Sequence, residues 1–105
     1  MDLLSDELKS RLPPLDAQEA SDVPYVYAKL FLPGTSLIWY VLEGGATAYA
    51  GFVLSCFFKG EEEESFGHFP ESFLEAFRGP NGEVMKQDLN FAEGKLTDVV
   101  PAPDS

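Results

Sequence analysis

A chain of 105 residues, 45% hydrophobic and 13% aromatic, carries enough apolar surface to fold and has room for one core. Eighteen Asp and Glu against seven Lys and Arg give a formal net charge of −11, a field that repels nucleic-acid phosphates and anionic lipid headgroups and attracts basic protein surfaces. Direct nucleic-acid binding and membrane association are therefore not expected, and the single cysteine, Cys56, can close neither an internal disulfide nor a thiolate metal site, which favours a reducing cytoplasm.

The opening residues 1–11 lack the basic start and long apolar stretch of a secretory signal. Ser5 ahead of Asp6 and Glu7, with Leu8 and Leu12 four apart, predicts a short helix with a hydroxyl N-cap and acids in its first turn, stopped by Pro13 and Pro14. Residues 15–24 are polar and acidic without a period and read as a surface loop. Residues 25–32 alternate Tyr25, Tyr27, Lys29 and Phe31 with Val26, Ala28, Leu30 and Leu32, a strand at least partly covered on both faces and ended by Pro33-Gly34.

A second strand is expected over residues 36–43, after which Gly44 and Gly45 can supply the positive φ of a tight connection. The third, residues 49–59, sets Phe52, Leu54, Cys56 and Phe58 against Val53, Ser55 and Phe57 and should be central. None of the apolar stretches approaches the roughly 20 residues needed to cross a bilayer. Glu61, Glu62, Glu63 and Glu64 cannot be buried together and belong at an exposed turn before a short strand over residues 65–69.

Phe69, Phe73 and Phe77 recur every fourth residue beside Leu74, which predicts a helix over residues 70–78 with its aromatic stripe on the sheet, ended by Gly79. Residues 79–82 form a turn, Val84, Met85, Leu89 and Phe91 suit short strands or docking segments, and from Ala92 onward, with Pro101 and Pro103, a loosely ordered tail is expected. The order of elements gives a single α+β domain over residues 1–105: a two-layer sandwich whose antiparallel sheet of four to five strands is packed by two short helices.

No phosphate-binding glycine loop, nucleophile elbow, zinc spacing or metalloprotease helix occurs, and no cofactor is expected. His68, the one histidine, reads as structural or semi-exposed, since a general base would need a carboxylate brought close by the fold. Cys56, flanked by Leu54, Phe57 and Phe58 with no neighbouring cation, reads as a buried thiol. The glutamate run lacks the turn glycines of a calcium loop and reads as a solvated tip. Trp39 and Tyr40 adjoin on opposite faces of their strand, and packing roles suit both.

Several stretches act together: Leu3-Leu4 with Leu12-Pro13-Pro14-Leu15; Trp39-Tyr40-Val41 followed by Glu43; Gly67-His68-Phe69 running to Phe77-Arg78-Gly79-Pro80; then Asp88-Leu89 and Phe91. In this order they resemble the small bacterial family known as domain of unknown function 2958. The chain departs from that family's usual tyrosine at His68, serine at Pro70 and basic residue at Gln87. The resemblance implies a bacterial origin, often on plasmids and other mobile elements near anti-restriction and conjugation genes, with no established activity and no catalytic residues to carry over.

The leading expectation is a non-enzymatic interaction or accessory protein that binds a basic or nucleic-acid-binding protein through Glu61, Glu62, Glu63 and Glu64 with Glu71 and Glu75 on the outward side of the second helix. A sharper form is a DNA mimic that inhibits a nucleic-acid-binding protein. Duplex of about 30 Å presents nearly twenty charges, so eleven net charges fall short unless most gather on one side. The competing expectation is a small enzyme or ligand-binding domain whose pocket between sheet and helices gathers Trp39, His68, Glu75, Arg78 and Asp88. An uncovered edge strand would also invite a homodimer.

Overall fold

Ser5 accepts a hydrogen bond from the Leu8 amide at 3.2 Å and starts helix α1 (Asp6–Arg11), whose first turn carries Asp6 and Glu7 and whose last carries Lys9 and Arg11, both complementing the helix dipole. The helix ends at Leu12, before the two prolines, as its spacing predicts. The computed structural model describes residues 3–15 and 24–99, so most of the expected loop over residues 15–24, and residues 100–105, lie outside the described residues.

Strands β1 (Tyr25–Val26) and β2 (Ala28–Phe31) are followed by β3 (Ile38–Thr47), β4 (Gly51–Lys59) and β5 (Glu64–Pro70), helix α2 (Glu71–Ala76), strands β6 (Lys86–Gln87) and β7 (Gly94–Lys95), and helix α3 (Leu96–Val99). The main sheet is antiparallel, in the order β5-β4-β3-β2-β6, and a second, two-stranded sheet pairs β1 with β7. The protein is thus an α+β sandwich. The segment read as one strand over residues 25–32 divides at Tyr27 and serves both sheets. The interior position expected for β4 is observed, with β3 at the middle.

Strand alternation sends Leu30, Trp39, Val41, Leu54 and Cys56 to one face, where Leu4, Leu8 and Leu12 of the α1 region and Leu74 of α2 close over them. Each fully buried leucine here contributes about 1.5–3 kcal/mol. The opposite face carries Tyr40 and Leu42, which pack with Val26, Phe91, Leu96 and Val99. Two helices were expected. The third, α3, helps cover this second face, and residues 94–99, read as part of a loosely ordered tail, form a strand and a helix there, tied by the Leu96 amide to the Pro24 carbonyl at 2.8 Å.

Gly44 and Gly45 are not turn residues. Both lie inside β3, opposite Leu54 and Val53, and the connection to β4 instead uses Gly51 at φ +69°. Gly44 is needed for close approach: a Cβ there would stand 2.8 Å from the Phe52 ring and 2.9 Å from Leu12, while its amide donates to the Pro13 carbonyl at 3.0 Å. One residue earlier the pairing shifts between Val41 and Glu43, and this bulge leaves Leu42 and Glu43 both buried.

The expected phenylalanine stripe is corrected. Phe69 belongs to β5 and Phe77 to the C-cap of α2, and both rings pack on Trp39 at centroid distances of 6.3 and 5.7 Å. Phe73, the one member within the helix, is 50% exposed. A helix of six residues begun directly after a strand buries one narrow face, and Glu71 and Leu74 occupy it.

Candidate functional site

The glutamate run is exposed along its whole length. Gly60 donates its amide to the Glu63 carbonyl at 2.8 Å, closing a tight loop that projects Glu61, Glu62 and Glu63, with Glu64 opening β5; all four are exposed. Among the described residues β5 ends the sheet on this side. Residues 60 and 63 form a hydrogen-bonded pair, and the register from Lys59↔Glu64 to Val53↔Pro70 continues it without a break. Because bonded and non-bonded pairs alternate along an antiparallel ladder, Ser65, Gly67 and Phe69 turn their backbone groups toward β4, whereas Glu64, Phe66, His68 and Pro70 turn theirs outward.

The same alternation is visible at the other side of the sheet. The Leu32 amide bonds to the Leu37 carbonyl, which places the Lys29 carbonyl outward, where it accepts from the Asp88 amide at 2.9 Å. Pro70, without an N–H, sits at an outward position where the β4 ladder loses nothing. Beside Glu64 on the same face, the Phe66 ring is 61% exposed and packs, tilted, against Phe57 at a centroid distance of 4.9 Å.

Glu71 and Glu75 do not share that surface, contrary to the outward placement expected for them. Glu71 is 6% exposed; one of its oxygens accepts the Leu4 amide at 3.2 Å and the other meets Lys9 Nζ at 2.6 Å. Glu75 accepts the Leu3 amide at 2.8 Å. Both carboxylates fasten the N-terminal segment to α2, because its backbone donors need acceptors where they meet the helix. The acidic surface contracts to residues 61–64.

The residues proposed to converge in a pocket are dispersed. Trp39 lies in the core against Phe58, Phe69 and Phe77, with its ring Nε1 buried and without a hydrogen-bond acceptor among the described residues. Arg78 donates to the Glu75 and Phe77 carbonyls at 2.7 and 2.9 Å, closing the C-terminal end of α2. His68 is exposed on β5, opposite Ser55. Asp88 alone lines a cleft, of about 220 Å³, between α1 and residues 87–93, where its polar neighbours include Ser5, Glu7, Arg11, Gln87 and Glu93.

Most of that cleft's charge is engaged within the fold. Arg11 Nη2 donates to both Glu93 oxygens at 2.7 and 2.6 Å, and this hydrogen bond, then the carboxylate's charge, raises the guanidinium pKa further. Asp88 accepts from the Asn90 amide at 3.0 Å and lies 3.9 Å from Lys29 Nζ. The sequence held no signal for this cleft, since Arg11 and Glu93 are 82 positions apart. No group of three or more His, Cys, Asp or Glu suited to a metal occurs among the described residues.

Cys56 is fully buried between Val41 and Gly67, and burial pushes its thiol pKa well up. Native protein should leave it unmodified by iodoacetamide over a period in which urea-unfolded protein is fully labelled, as read by intact mass. Rapid labelling of the folded chain would show a reachable thiol.

No family model matches the chain, and no curated protein or solved structure is significantly similar to it. The resemblance to domain of unknown function 2958 therefore gains no support from these comparisons. No helix of the described residues is long and apolar enough to cross a membrane.

Proposed function

We propose that this chain is a non-enzymatic interaction protein that binds a basic protein surface through the acidic end of its main sheet. The observation that carries the reading is the tip itself: four consecutive exposed glutamates held on a closed hairpin, in a chain of net charge −11. Such a field speeds encounter with cationic partners and disfavours polyanions. A basic or nucleic-acid-binding protein of a mobile element fits this description.

The DNA-mimic form is less favoured. Glu71, Glu93 and Asp88 are each matched to a cation within the fold, which removes charge from any duplex-like array. A second reading, small-ligand binding, rests on the cleft beside α1, whose lining includes Glu7, Asp88 and Glu93.

The interaction reading is tested by capture from bacterial lysate with the intact chain and with a variant carrying Glu61→Gln, Glu62→Gln, Glu63→Gln and Glu64→Gln together. Basic proteins retained at low salt, released as salt rises and lost with the variant are the expected result. The same proteins on both baits would remove the tip from the account.

A further inference from the structure

We propose that the outer edge of β5 receives an added strand from a basic protein partner, with Glu64 and Phe66 supplying the backbone hydrogen bonds and the glutamate tip selecting lysine or arginine at one end of that strand. The inference deepens the interaction reading and rests on it. Among the described residues β5 has a strand neighbour only at β4, and its residues Glu64, Ser65 and Phe66 are all exposed. The alternation fixed by the Gly60–Glu63 bond turns the amide and carbonyl of both Glu64 and Phe66 outward, a spacing that matches the bonded pairs of a neighbouring antiparallel strand.

Side chains then set the chemistry of the occupant. Glu64 and Phe66 project on one face with the strand period of two, so an added strand lies best with a cation beside the carboxylate and an apolar residue beside the exposed ring, two positions away. Further cations extend past the strand end toward Glu61, Glu62 and Glu63. A second copy of this chain is a poorer occupant. In a two-fold antiparallel pairing centred on Gly67 it sets Pro70 against Glu64, and it brings another net charge of −11 instead of a cation.

The test uses the full chain and, as probe, a capped peptide repeating Lys-Thr-Val-Thr, which sets lysine and valine two positions apart on one face, followed by titration calorimetry at low salt. Phe66→Pro removes an outward-facing amide and leaves the β4 ladder whole, so cooperative melting should persist while peptide affinity falls roughly tenfold or more. Phe66→Ala, which keeps the amide, should fall less. With the wild-type protein, the same peptide methylated on every backbone nitrogen keeps its charge but loses its donors, and should likewise weaken roughly tenfold. That arm stands even where a proline variant does not fold.

Equal binding of the methylated peptide overturns strand addition. If the glutamine variant of the tip then weakens the peptide all the same, the acidic-surface reading survives alone; if it does not, both fall. Tight binding of the same peptide with glutamate in place of lysine, or a dimer in sedimentation that Phe66→Pro dissolves, would assign the edge to a different occupant and contradict the proposal.

Discussion

Glu71→Ala should lower folding stability by about 3 kcal/mol, an unusually large effect for an acid in so acidic a chain. The carboxylate joins three parts of the molecule: it caps the Leu4 amide, pairs with Lys9 of α1 and starts α2. Removing it orphans a buried N–H and takes from Lys9, itself over the Phe52 ring at 5.2 Å, the carboxylate that lies 2.6 Å from its Nζ. Glu71→Gln keeps an acceptor for Leu4 and should lose roughly half as much. The double replacement Lys9→Met with Glu71→Leu should recover only the ion-pair share of the deficit, because well-packed apolar groups replace buried ion pairs at little cost while the Leu4 amide stays without its acceptor. Urea midpoints measured at constant slope read all three. An alanine variant within about 0.5 kcal/mol of wild type would show that the N-terminal segment is not held in this way.

Trp39→Ala should cost about 3–5 kcal/mol, since the indole fills the centre of the helix-covered face between Phe58, Phe69 and Phe77. Trp39→Phe is expected to be much milder, within about 1.5 kcal/mol. The smaller ring leaves a void, but the substitution also removes the buried Nε1 donor that has no acceptor among the described residues, and that relief offsets part of the loss. Near-equal destabilisation by the two replacements, again from urea midpoints, would reveal an acceptor for Nε1, such as an internal water.

Local chemistry was readable wherever neighbours in sequence decide it. Ser5 with Leu8 and Leu12 announces α1, β-branched and aromatic residues announce β3, alternation announces β4, and four successive glutamates announce an exposed turn, because each depends on propensity, periodicity, capping or solvation within a few residues. What escaped depends on distant partners. Gly44 carries the ordinary signature of a turn, and only the arrival of Leu12 and Phe52 makes it a packing glycine inside a strand. Glu71 and Glu75 looked outward-facing because acids seldom bury, yet residues 4 and 3, respectively 67 and 72 positions away, present the amides that they accept.

The candidate site divides in the same way. Its acidic tip is written in adjacent residues, but the open edge of β5 follows from strand order, and which amides face outward follows from one hydrogen bond at the hairpin loop. The cleft beside α1 joins residues from opposite ends of the chain and has no local signature. The expected convergence of Trp39, His68, Arg78 and Asp88 assumed a pocket between the sheet and its helices. Large side chains fill that space instead.

Residue-resolved amide hydrogen exchange by NMR, without and with the lysine–valine peptide, tests the central claim most directly. In the free protein the Ser65, Gly67 and Phe69 amides should exchange slowly and those of Glu64 and Phe66 quickly, and the peptide should slow the latter two specifically. Protection that leaves Glu64 and Phe66 unchanged, or that appears around Arg11 and Asp88 instead, would place the working surface elsewhere.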